Sequence, residues 1–166
     1  ASKIDICARI NLFYRIEQGK IHYYCVDPRF YLPEDTVMNG DEKQVIDRYQ
    51  KWMNMGIMTF DLFPAVDEHL KDQVGSYSYA DENFYLHIIR TLKEKFPEAV
   101  LMSDVALDPY SSDGHDGLVV DGKIVNDPTL HLLGKMSVAQ AQAGVDIIGP
   151  SDMMDGRIGV IREALD

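Results

Sequence analysis

The chain has 166 residues, 46% of them hydrophobic, and a formal net charge of −11. That length supports one domain with its own core, and no run approaches the ~18 apolar residues of a membrane span. The acidic balance excludes nucleic acid as a partner, because phosphates need a basic surface.

Cys7 and Cys25 form no metal-type pair and suit a reducing compartment. The first residues, Ala1 to Asp5, lack the basic start and apolar run of a signal peptide. The expected location is the cytoplasm. Residues 1–20 carry no clear period and are expected to form an N-terminal arm, with an α/β domain over 21–166.

Ile21 to Val26 is rich in β-branched and aromatic residues and reads as a strand stopped by Asp27-Pro28. Pro28, Pro33, Asn39 and Gly40 mark the next segment as a loop. From Asp41, a plausible N-cap, the pattern changes. Val45, Ile46, Tyr49, Trp52 and Met53 recur at spacings of three and four, which gives a helix with one apolar stripe ending near Gly56. Ile57 to Phe63 is a second strand, stopped by Pro64, and 67–81 is a polar loop. Phe84, Leu86, Ile88, Ile89, Leu92 and Phe96 make a second helix, terminated by Pro97. Val100 to Asp104 is the third strand. Asp121-Gly122 centres a short hairpin over Val119 to Val125. A third helix carries Leu130, Leu133, Met136, Val138, Ala139, Ala141 and Ala143, with Gly144 at its end. Val145 to Gly149 is the fourth strand, and Asp152 is placed to cap a last helix holding Ile158, Val160, Ile161 and Leu165.

Strand then helix, four times over, implies parallel strands with helical crossovers. A closed (β/α)8 barrel needs roughly 250 residues, so the expected fold is α/β with four β/α units, half of such a barrel. Its two sheet edges invite pairing. The expectation is an oligomer, or an edge covered by residues 1–20.

In such folds, ligands and catalysts sit beyond the carboxyl ends of the strands. Two strand ends are rich in candidates. Asp104 opens the run Asp104-Val105-Ala106-Leu107-Asp108-Pro109-Tyr110, followed by Asp113, Gly114, His115, Asp116 and Gly117. Pro150-Ser151-Asp152-Met153-Met154-Asp155-Gly156-Arg157 follows the fourth strand. On spacing alone, the aspartates read equally as capping and Asx-turn residues. Ser151-Asp152 reads equally as a helix N-cap, Asp155 with Arg157 as an internal salt bridge, and Met153-Met154 as packing.

These segments resemble the metal-site signature and following segments of the porphobilinogen synthase (δ-aminolevulinic acid dehydratase) family. Asn126-Asp127, Gln140-Ala141 with Ala143-Gly144, and Ile161 to Asp166 extend the likeness. Gly56-Ile57, Leu62-Phe63, Lys71-Asp72, Gly75-Ser76 and Phe96-Pro97-Glu98 extend it upstream, so it covers about residues 56–166. The resemblance implies a homo-oligomeric (β/α)8 barrel of tetrapyrrole (heme) biosynthesis, in the cytoplasm or the plastid stroma. Its reaction condenses two 5-aminolevulinate molecules into porphobilinogen through lysine Schiff bases. It also implies that Asp104 is a catalytic, proton-handling carboxylate and Ser151 a catalytic, substrate-contacting hydroxyl, with Asp152 beside it in the substrate site.

One branch of the family binds zinc through three cysteines in the Asp-rich loop. Here those positions hold Ala106, Asp108 and Asp116. Carboxylates with water suit Mg²⁺ rather than zinc, which makes Asp108 and Asp116 the candidate metal ligands. Asp127-Pro128 departs from the family's more usual acidic residue after Asn-Asp. None of the chain's lysines matches the two Schiff-base lysines. The partner expected with 5-aminolevulinate is therefore a second copy or a complementary half-barrel chain that completes the site. The rival expectation is a non-catalytic half-barrel that binds ligand or metal, or docks on a full-length synthase.

Overall fold

The computed structural model describes residues 4–7, 13–17, 20–24, 37–40, 42–54 and 56–166. In chain order its elements are β1 (Ile4–Cys7), β2 (Phe13–Glu17), β3 (Lys20–Tyr24), β4 (Val37–Gly40), α1 (Glu42–Asn54), β5 (Thr59–Pro64), α2 (Phe84–Lys95), β6 (Val100–Val105), β7 (Val119–Val120), β8 (Lys123–Ile124), α3 (Asn126–Ala143), β9 (Ile147–Pro150) and α4 (Arg157–Leu165). The main sheet runs β4-β1-β5-β6-β9. Within it β5, β6 and β9 are parallel, with Leu62 opposite Ser103 and Asp104 opposite Gly149. β1 pairs antiparallel with β5. Residues 4–7 therefore lie along one edge of the parallel strands, as the exposed-edge argument anticipated.

The crossovers β5–α2–β6 and β6–α3–β9 are the α/β units read from the periodicity. Four such units are not found among the described residues. The segment expected as the first parallel strand is β3, which pairs antiparallel with β2 in a separate two-stranded ribbon. Pairing with a sequence neighbour closes a short loop at little entropic cost, whereas a parallel partner needs a long crossover. Asn39 and Gly40, expected in a loop, end β4. Asp41, Cys25, Val26 and the Asp27-Pro28 stop lie outside the described residues.

The helices and the hairpin follow from local chemistry. On α1, Val45 and Tyr49 are 1% exposed at i, i+4 spacing, and Tyr49 meets Phe60 of β5 edge-on at 4.7 Å. The Asn83 side chain caps α2 by accepting from the N–H groups of Tyr85 (2.7 Å) and Leu86 (3.4 Å). α3 starts four residues before its first predicted apolar position, because Pro128 in the first turn sacrifices no intrahelical donor. Its C-cap is Gly144, in the left-handed region at φ 109°. The hairpin forms as expected. Asp121 (φ 50°) and Gly122 (φ 72°) both adopt the positive φ that a type I′ turn requires.

Two apolar clusters result. One joins α1, α2, β5 and the start of β6 through Tyr49, Phe60, Leu86, Ile89 and Leu101. The other lies under the strand ends and joins Leu107, Tyr110, Leu133, Met136, Met154 and Ile161. Burying each such side chain contributes about 1.5–3 kcal/mol. Leu107, Tyr110 and Met154 anchor the segments after β6 and β9 in the second cluster.

Candidate active site

β6 ends where its alternation changes meaning. Leu101 and Ser103, both fully buried, face the helices. Asp104 therefore projects from the opposite face, and is 7% exposed. The carboxyl end of β9 delivers Ser151, whose hydroxyl donates to Asp104 Oδ1 at 2.5 Å. The two residues expected to share a rim are thus in direct contact.

The surroundings of Asp104 disfavour its charged form. Burial is the largest cause, the Ser151 hydrogen bond opposes it, and the charges of Asp108, Asp61 and Asp116 add to it, so the carboxyl is pushed up to about 6. Asp108 is also raised, first by desolvation and then by Asp116, with the Lys71 ammonium pulling it back. Asp104, Asp108 and Asp116 therefore form one electrostatic group. His115 and Asp113 are exposed.

Asp61 and Lys71, whose charges also act on this group, were given no site role from the sequence. Asp61 lies in the middle of β5, between Phe60 and Leu62, and burial raises its pKa. A lone carboxylate inside an apolar strand was the available signal. Lys71 follows from the loop after β5. Asp72 accepts from the N–H groups of Val74 and Ser76 at 3.0 and 2.9 Å, and from the Ser76 hydroxyl at 2.5 Å. Its backbone joins the Asp-rich loop through Ser112 N–H at 2.9 Å and the Tyr110 carbonyl at 3.3 Å. Gly75 (φ 61°) packs so closely that a Cβ there would meet Leu107 at 2.8 Å. Asp72, Gly75 and Ser76 thus clamp two rim loops together.

Asp152 has a different setting. Its Oδ1 accepts from Met154 N–H at 2.8 Å, and its Oδ2 lies 3.3 Å from Arg157 Nε, a close ion pair without hydrogen-bond alignment. Burial raises its pKa, while the Met154 N–H and Arg157 oppose the rise. Two expectations are corrected here. The N-cap of α4 is Gly156, not Asp152, because Asp152 spends its oxygens on an Asx-type turn and on Arg157. Arg157 in turn pairs with Asp152 rather than Asp155, whose backbone is held by Asn126.

As a metal centre, the loop offers the carboxylates of Asp108 and Asp116. Ala106 is 2% exposed and contributes no donor. Among the described residues no group of three His, Cys, Asp or Glu side chains converges as a metal cage. A carboxylate pair that keeps several waters on the ion is a donor set suited to Mg²⁺; it does not suit a tetrahedral thiolate zinc site. A groove of about 410 Å³ lies elsewhere, between α3 and α4 beside Tyr79, His131 and Lys135, and includes none of these site residues.

Comparison with known proteins identifies the family. The family model described as delta-aminolevulinic acid dehydratase matches residues 32–166. The chloroplastic delta-aminolevulinic acid dehydratase of Selaginella martensii is 53% identical over 123 residues, which cover 74% of this chain and 30% of that protein. The Bradyrhizobium diazoefficiens enzyme is 46% identical, again over 74% of this chain and 35% of its own length. Among solved structures, delta-aminolevulinic acid dehydratase (porphobilinogen synthase) from Toxoplasma gondii ME49, in complex with the reaction product porphobilinogen, superposes with a TM-score of 0.73 at 47% identity. That match covers 75% of this chain and 36% of the other. The chain spans about a third of the length of these relatives, and over that span it belongs to the delta-aminolevulinic acid dehydratase family.

Proposed function

We propose that this chain forms the acidic half of a porphobilinogen synthase site, in a half-barrel completed by a lysine-bearing segment or partner chain, and takes part in condensing two 5-aminolevulinate molecules. The observation that carries this reading is the Ser151–Asp104 hydrogen bond across the ends of two parallel strands, with Asp104 titrating at about 6. A carboxyl poised near neutrality can take and return a proton at the pH where the enzyme works. Ser151 holds one carboxylate oxygen and is exposed, so it can also meet substrate. Asp152, whose oxygens are engaged by Met154 and Arg157, contributes by shaping the turn that presents Ser151.

Among the described lysines, Lys71 approaches the rim, paired with Glu68 at 2.5 Å. Condensation through Schiff bases needs desolvated amines beyond this one. The outer side of β9, which pairs only with β6 among the described residues, is the natural place for the completing strand. Where a partner chain supplies that strand, the working form is an oligomer or a two-chain barrel. Asp108 and Asp116 would hold Mg²⁺ through retained waters, and the ion would supply positive charge beside the proton-handling carboxyl. No described helix is long and apolar enough to cross a membrane. The chloroplastic plant relatives support the plastid stroma as the site of action in a plant-type cell.

The test supplies 5-aminolevulinate with a lysine-bearing complementary half, and follows coloured product with an aldehyde reagent. Colour is expected, and Asp104→Asn should lower its rate about 10²–10⁴-fold, the usual contribution of a positioned acid or base. Undiminished turnover in that variant would overturn the assignment of Asp104. Failure of the chain to bind 5-aminolevulinate in calorimetry would overturn the substrate. Borohydride reduction followed by mass measurement then shows whether any lysine of this chain forms the covalent adduct.

A further inference from the structure

The peptide groups on either side of Asp104 are gripped by buried side chains from both crossover helices. Gln140 of α3, 0% exposed, donates from Nε2 to the Asp104 carbonyl at 2.8 Å and accepts from the Ser103 hydroxyl at 2.6 Å. Tyr85 of α2, 1% exposed, donates its hydroxyl to the Leu62 carbonyl at 2.7 Å. The Asp104 N–H reaches the same hydroxyl oxygen at 3.4 Å. A buried amide and a buried phenol must find polar partners. Here the partners are the last rung between β5 and β6 and the carbonyl that follows it. Ser103 and Asp104 point to opposite faces, so whatever holds Ser103 and its flanking peptides against the helices sets the direction of the Asp104 side chain.

We infer that Tyr85 and Gln140 are positioning residues for Asp104: by holding its N–H and carbonyl from the helix side, they fix the carboxylate where Ser151 can engage it. The inference rests on reading Asp104 as the working carboxylate of the site. Its test does not require turnover.

In the full chain, nuclear magnetic resonance should show a protected Asp104 amide and a single side-chain rotamer at Ser151, read from its α–β couplings. Tyr85→Phe and Gln140→Met should each speed exchange of the Asp104 amide roughly tenfold relative to the Leu101 amide of the same strand. Each should also let Ser151 average between rotamers. Ser137→Ala is the comparison. It removes a buried bond of similar length, Ser137 Oγ to the Leu133 carbonyl at 2.8 Å, and should lower the melting temperature without moving either signal. Should Tyr85→Phe and Gln140→Met behave like Ser137→Ala, with Asp104 exchange and the Ser151 rotamer unchanged, the positioning role is wrong. If either variant fails to fold, the unmodified protein still decides. A Tyr85 hydroxyl proton that exchanges freely, or shows no proximity to the Asp104 amide, overturns the inference. Loss of the 5-aminolevulinate reaction alongside intact coupling would sink only the functional reading.

Discussion

Asp104, near the carboxyl end of β6, and Asp152, just past β9, are both buried acids, and their surroundings are opposite. Asp152 is 2% exposed and has a guanidinium and a backbone N–H as partners. Asp104 is 7% exposed, has one hydroxyl, and faces the charges of Asp61, Asp108 and Asp116. A buried carboxylate with a cation is a strut; one surrounded by like charges holds its proton to a higher pH. The difference separates an acid braced by a cation from one whose charge is opposed by its neighbours.

Removing the strut gives the largest expected effect. Asp152→Ala removes the carboxylate beside Arg157 Nε, leaving Arg157 only its bond to the Met154 carbonyl at 3.0 Å, and leaves Met154 N–H without its acceptor. Breaking a fully buried pair costs 3–5 kcal/mol, and Arg157 is partly exposed, so a loss of about 2–3 kcal/mol is expected. Urea unfolding measures it. A cost below about 0.5 kcal/mol would erase the distinction between the two acids.

Removing the charge at Asp104 works in the other direction. Its folded pKa of about 6 lies above the ordinary 3.8. The folded state therefore holds the proton more tightly than the unfolded chain, and the stability this contributes is full below about pH 4 and lost as pH rises to about 6. A shift of about two units corresponds to roughly 3 kcal/mol. Asp104→Asn should flatten this part of the pH–stability curve and make the chain more stable than the parent at pH 7.5, by up to that amount. Asp61, Asp108 and Asp152 are raised too and slope the same way, whereas Asp72 and Asp146 are lowered and slope oppositely. The comparison is therefore between variant and parent across pH 4–6. An unchanged difference over that window would contradict the raised pKa.

Much of the scaffold was legible in the sequence because its signals are local. The apolar spacing of α2, the Asp121-Gly122 turn and the runs ending at Asp104 and Gly149 each reflect chemistry within a few residues. β1 carries no such signal, and its place beside β5 is decided by distant pairing. That Asp104 and Ser151 share a rim followed from their places at two strand ends, while their direct hydrogen bond was not foreseen, because spacing read equally well as helix capping. Tyr85 fell outside the apolar stripe drawn for its helix, and nothing local shows that its hydroxyl reaches a strand end. Asp152 was misread as the cap of α4, because a Ser-Asp pair before an apolar stretch looks the same whether the next turn is helical or, as here, pinned by Arg157 and ended by the left-handed Gly156.

The finest test of the comparison changes a single oxygen. Ser151→Ala removes the hydroxyl that favours ionised Asp104 and leaves every acidic neighbour in place. Ser151 is exposed, so the direct effect on stability near neutral pH should stay within about 1 kcal/mol. The midpoint of Asp104, followed by the chemical shift of its side-chain carbon, should rise by roughly half a unit or more, because the charged form loses its hydrogen-bond donor. The same substitution should leave Asp152 untouched, since Met154 and Arg157 stabilise its charge independently of Ser151. A fall in the Asp104 midpoint, or an equal rise at both acids, would mean that general exposure of the rim, not this hydrogen bond, governs its titration.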